Sequence, residues 1–222
     1  MFKLYSLLAL SIMMSSAFAG VKKVEPITSY GGFTYFGSYE PEKPKSPLDI
    51  PKNIRSQLIQ HLVKRLGSEF YSSLTFNGGQ IVNIGELYEM EPNVKNHEWE
   101  VHSFDLHFEL SKPEIGIQSY IAQIQLRQDG SIINEINLPD FSKNPEKLKI
   151  YSLSDAYNKS QESGFDTEHV NVTLAYDTKT DNLVWKFEQR TYDDGLTMVY
   201  KNIEISAHSG EIIKEYQSHG IR

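Results

Sequence analysis

The chain has 222 residues, 22 basic against 29 acidic side chains, a formal net charge of −7 and no cysteine. The negative charge argues against nucleic acid as a partner. The missing cysteines exclude disulfides, cysteine-ligated metal centres and a thiol nucleophile.

Residues 1–19 read as a cleavable export signal. Lys3 supplies the positive start, Leu7, Leu8, Leu10, Ile12, Met13 and Met14 the apolar core, and Ala17-Phe18-Ala19 the small-x-small cleavage site. The apolar run is shorter than the roughly 20 residues that a membrane span needs. The expectation is a periplasmic or secreted protein, cleaved after Ala19, with no transmembrane segment in what remains.

Residues 20–48 read as an extended arm. Gly31-Gly32, Gly37, Pro41, Pro44 and Pro47 oppose helix or central strand. The arm also carries Tyr30, Phe33, Tyr35, Phe36 and Tyr39. These aromatics either pack onto the domain or contact a partner, and they are the candidate partner-binding residues.

A first unit is expected over residues 49–140. Ile54, Leu58, Ile59, Leu62, Val63 and Leu66 make one apolar stripe at helical period, with Asp49 as cap, Pro51 in the first turn and Gly67 after the last. After an Asn77-Gly78-Gly79 turn, Gln80–Tyr88 reads as a strand. Phe104, Leu106, Phe108 and Leu110 alternate with Ser103, Asp105, His107 and Glu109, a strand with one apolar and one solvated face. Tyr120, Ala122, Ile124 and Leu126 share a face, while Ile115 and Ile117 have the opposite parity, so a bulge is expected near Gln118-Ser119. Asp129-Gly130 turns into Ile132-Ile133, and Asn137–Lys147 reads as a linker.

A second unit is expected over residues 148–222. Ser152 and Asp155 form a capping box for a short helix ending at Gly164. Three alternating strands follow: Val170 to Tyr176, Leu183 to Phe187, and Val199 to Ala207. Ser209-Gly210 then turns into a short final strand at Ile212-Ile213. The two halves end alike. Tyr120, Gly130, Ile132 and Ile133 match Tyr200, Gly210, Ile212 and Ile213 at one constant offset, which raises an internal repeat. Against it, Ile124 aligns with Glu204 and Gln125 with Ile205, a parity mismatch that one extra residue in either copy would reconcile.

Tyr151–Glu215 resembles a PepSY domain. The parts that carry the likeness are the helix opening Ser152-Leu153-Ser154-Asp155-Ala156, the strand Leu183-Val184-Trp185-Lys186-Phe187, and Ile203 to Ser209-Gly210-Glu211-Ile212-Ile213. Ser206 and Ser209 stand where the family often has Asp and Thr. Residues 49–139 look like a more divergent copy. The resemblance implies an α+β fold, two tandem cystatin-like units each with a helix packed on an antiparallel sheet. It implies binding or inhibition of a protein partner, and it brings no catalytic residues and no cofactor.

The chemistry-bearing motifs are few. Gln80-Ile81-Val82-Asn83-Ile84-Gly85 approaches a cystatin inhibitory loop but has one residue too many before the glycine. His97 and His102 are five apart, about 140° on a helix, so they do not make the zincin pair. Asp105, His107 and Glu109 share one strand face and are the candidate metal ligands, provided that a neighbouring strand contributes. No Gly-x-Ser-x-Gly elbow or phosphate loop occurs.

The expected function is therefore an exported, non-catalytic binding module that engages a protein or envelope partner and restrains a protease. The alternatives are a metal-assisted hydrolase built on Asp105, His107 and Glu109, or a carrier of a small apolar ligand.

Overall fold

A computed structural model describes residues 39–166 and 170–221. The fold is α+β, with two four-stranded antiparallel sheets and a few helices. The signal segment and most of the expected arm lie outside the described residues.

The first sheet follows helix α1 (Lys52–Leu66) and the short α2 (Ser68–Ser72). It orders β1 (Leu74–Ile81), β2 (Phe104–Lys112), β3 (Ile117–Leu126) and β4 (Ile132–Asn134) in sequence, with α3 (Ile84–Met90) between β1 and β2. The second sheet follows α4 (Leu153–Glu162) and orders β5 (Val170–Asp177), β6 (Asn182–Asp193), β7 (Thr197–Ser206) and β8 (Ile212–Ile221).

Helix α1 buries Ile54, Leu58, Leu62 and Leu66 and leaves Ile59 exposed. The stripe is thus narrower than the sequence pattern. Asp49 does not cap α1. It closes a 3-10 turn, Pro47–Asp49, in a capping box with Ser46, and Pro51 stands at the N-cap of α1.

The expected strand over Gln80–Tyr88 is corrected. Asn77-Gly78-Gly79 lies inside β1 as a bulge rather than before it, and the strand ends at Ile81. Gly79 has φ +136°, and a Cβ there would sit 2.0 Å from the Asp105 carbonyl oxygen, so only glycine lets β1 close on β2. The Asn83 side chain then accepts from the Glu86 N–H and starts α3.

The other bulge falls where the pattern put it. Leu110 pairs with Tyr120 and Lys112 with Ile117, which leaves one extra residue at Gln118-Ser119. The expected linker over Asn137–Lys147 is also corrected. Leu138 and Phe141 are buried, as is Ile136 just before it. The segment is a strap across the core.

The core is continuous. One buried cluster includes Leu58 and Leu62 of α1, Leu106 and Ile124 of the first sheet, Ala156 of α4, and Trp185, Phe187 and Ile203 of the second sheet. Trp185 is fully buried, and its indole N–H donates to the Tyr151 carbonyl at 2.9 Å. Lys186 faces outward and pairs with Glu204 at 3.3 Å.

Gly130 and Gly210 occupy corresponding turns, between the third and fourth strands of their sheets, each with positive φ. The parity mismatch has a local cause. Arg127 N–H bonds Ser131 O across the first turn, whereas Ser206 N–H bonds Glu211 O across the second. The second turn is one residue longer. Aligned from the strands rather than from the glycines, Leu126 matches Ile205 and Ile124 matches Ile203, and these four residues are all buried.

Candidate functional site

Three places concentrate chemistry. The first is the junction between the sheets. Arg65, in the last turn of α1, donates through Nη2 to the Leu138 carbonyl at 2.9 Å. Its guanidinium lies 3.5 Å from Asp140 and 3.4 Å from Asp181. Asp181 sits in the β5–β6 turn with φ 53°. It accepts from the Tyr176 hydroxyl at 2.7 Å and from the Asp140 N–H at 3.0 Å. Burial acts to raise the Asp140 carboxyl, but the Ser142 hydroxyl, Lys143 and Arg65 hold it down at about 2. Burial and then Asp181 push the Tyr176 hydroxyl up. An open cavity of about 740 Å³ adjoins these groups, lined also by Gln123, Gln125 and Asn134. The residues that line it are polar or charged, and Arg65, Asp140, Lys143 and Asp181 are paired with one another. The arrangement ties α1, the strap and the second sheet together.

The second place is Asp105. The strand register lines up one residue from each strand of the first sheet, Gln80, Asp105, Gln125 and Asn134. Asp105 is only 3% exposed, so the expected solvated face is corrected here. The Gln123 amide donates to both its oxygens at 2.7 and 2.8 Å, and the Gln125 amide donates at 3.2 Å. Nε2 of His107 lies 3.2 Å away and that of His102 3.7 Å. Burial raises the Asp105 carboxyl, yet His107, Gln123 and His102 outweigh it and the net shift is downward. Burial lowers His102 despite the nearby carboxylate. The candidate ligands Asp105 and His107 are thus brought together, but Glu109 is not: it accepts from the Ser119 hydroxyl at 2.6 Å. Among the described residues, no group of three or more His, Asp or Glu is placed to hold a metal ion. The Asp105 carboxylate thus accepts three hydrogen bonds from two side-chain amides.

Of the aromatic arm candidates, Tyr30, Phe33, Tyr35 and Phe36 lie outside the described residues. Tyr39 is 6% exposed and clusters with Val82, Leu87, Val94 and Val101. Its hydroxyl accepts from the Asn83 N–H at 2.8 Å. As a partner contact Tyr39 is corrected: it packs onto the domain. Just after it, Glu42 pairs with Ile81 through two backbone bonds and covers the outer edge of β1.

The third place is the far end of the second sheet, which the sequence pattern missed. β8 runs ten residues where a short strand was expected. It pairs with β7 from Ile205↔Ile212 to Thr197↔Ile221. No strand among the described residues pairs with its other side. β6 runs on to Asp193, and among the described residues its pairing with β5 extends from Asp177↔Asn182 to Val170↔Gln189. The resulting apron exposes Tyr192, Leu196 (73%) and Ile221 (86%). A sequence signal did exist: Lys214-Glu215-Tyr216-Gln217 contains neither proline nor glycine to end a strand. Comparison with protein-family models, with curated proteins and with solved structures gave no match.

Proposed function

We propose that the protein is an exported, non-catalytic binding module that takes up an extended polypeptide as an added strand on the outer edge of β8. In this reading the chain is two tandem PepSY-like units, each a helix on an antiparallel sheet. The identical strand order of the two sheets, the corresponding turns at Gly130 and Gly210, and the buried faces of α1 and α4 support it. The leader at residues 1–19 supports export to the periplasm or medium. No helix among the described residues is long and apolar enough to cross a membrane.

The observation that carries the proposal is the open edge of β8, ten residues long. Backbone N–H and C=O groups along such an edge are a template for another chain, and they supply affinity without demanding one sequence. A protease segment captured in this extended form would be withheld from substrate, which is how the module would restrain a protease.

A random-peptide display selection on the purified protein tests this. Enrichment of extended peptides with alternating apolar residues is the expected result. Gln217→Pro and Ser218→Pro are the controls. Adjacent N–H groups point to opposite edges, so one of the two removes an outward donor while sparing the ladder to β7. That variant should stay folded and lose the selected peptides. Absence of enrichment, or binding indifferent to both variants, overturns the proposal.

A further inference from the structure

We infer that, without a bound polypeptide, β8 pairs antiparallel with β8 of a second copy of this chain, centred on Gln217, so that a symmetric dimer closes the edge. This rests on the reading of β8 as a binding edge and assigns that edge its regulation.

The register follows from symmetry and side-chain chemistry. A two-fold axis that relates antiparallel edge strands stands perpendicular to the sheet and keeps each side chain on its own face. Facing residues must then share parity, so one residue faces its own copy. Centring on Glu215 would set two carboxylates against each other. Centring on Tyr216 would set Ile213 against the partner's His219 and Ile212 against the partner's Gly220. Centring on Gln217 sets amide against amide, Glu215 against the partner's His219, and Ile213 against the partner's Ile221. Carboxylate then meets imidazole and apolar meets apolar along the whole row. On the other face Tyr216 meets the partner's Ser218.

The structure leaves this row open. Ile213, Glu215, Gln217, His219 and Ile221 are exposed. The pairing of β8 with β7 is unbroken from Lys214 to Ile221. Proteins blunt free edges with bulges, prolines or a covering segment. The outer edge of β1 has both the Gly79 bulge and the Glu42 bridge, and β4 has three residues. From Lys214 to Ile221, β8 has no bulge and no proline, and among the described residues nothing covers it.

The absence of cysteine makes the test clean. Gln217→Cys introduces a single thiol that faces its own copy across the two-fold. Copper-phenanthroline oxidation should convert this variant to a disulfide dimer on non-reducing gels. Glu215→Cys should stay monomeric, because that residue and its copy would be about 13 Å apart along the strands. Sedimentation velocity of the unsubstituted protein should show a concentration-dependent dimer. Glu215→Lys should weaken it about tenfold, as an ammonium replaces the carboxylate that accepts from the facing imidazole, and adding His219→Glu, which sets a carboxylate against each lysine, should restore it. A protein monomeric at all concentrations overturns the inference, as it would if residues 20–38 of the same chain occupied the edge. Crosslinking at Tyr216→Cys or Glu215→Cys as efficient as at Gln217→Cys also overturns it. Peptide selection, run at concentrations where sedimentation shows only monomer, is read separately. Peptide binding without a dimer defeats only this inference, and a dimer without peptide binding defeats only the proposed function.

Discussion

At the scale of single residues, buried ionisable groups set how the protein responds to acid. The Asp140 carboxyl titrates at about 2 in the folded protein against an ordinary 3.8. The unfolded chain therefore takes up this proton first. The stabilisation is complete above about pH 4 and is lost as the pH falls to about 2. His102 and His208 are both held below the ordinary histidine value of 6.5, chiefly by burial. Nε2 of His208 accepts the Leu183 N–H at 3.1 Å, which a protonated ring could not do. Their contribution is complete above about pH 6.5 and declines below it. The urea midpoint should thus fall in two stages on acidification, and Asp140→Asn should flatten the lower one. A midpoint that does not change between pH 7 and 5 would refute the assignment for the histidines. Trp185 can be read as core from the sequence, because Leu183, Trp185 and Phe187 recur at period two with Lys186 on the opposite face. Asp105 could not. Its period-two setting resembles any wet face, and the amides that bury it stand 18 and 20 residues away.

At the scale of elements, what could be read depended on contrast between faces. α1 was legible because four apolar residues at helical spacing face one core. Leu62, fully buried, is the residue that reports on its docking. Leu62→Ala should lower stability by ~2–5 kcal/mol in a denaturant titration, and a neutral result would mean that α1 is not docked as described. β2, β3 and the inner part of β6 were legible for the same reason. α3 is not legible: Ile81, Val82 and Ile84 look like strand, and the change to helix comes at Asn83, where a side chain caps a single N–H. The length of β8 is not legible because, apart from its ends, the strand has few apolar residues. Its conformation is imposed by the ladder to β7, which is not visible in a local pattern.

At the scale of the whole molecule, the two sheets share one core and one ionic junction. The protein should therefore unfold in a single calorimetric transition whose van't Hoff and calorimetric enthalpies agree. Two resolved transitions would show that the halves are independent. Arg65→Met should lower stability by about 2 kcal/mol, less than the ~3–5 kcal/mol for breaking a fully buried pair, because Asp181 keeps some solvent. The sequence alone determined that α1 is an amphipathic helix, that β2, β3 and the inner part of β6 are alternating strands, and that no disulfide or cysteine-bound metal supports them, because those properties follow from local periodicity and composition. It also shows the ends of the two halves to be alike, Gly130, Ile132 and Ile133 against Gly210, Ile212 and Ile213. Only the tertiary structure decided that Asp105 is buried, that the strap belongs to the core, that the second turn is one residue longer, and that β8 is a free edge. Each of these depends on what lies across a strand pair or beneath a sheet, and such neighbours are set by long-range packing rather than by the residues on either side in the chain.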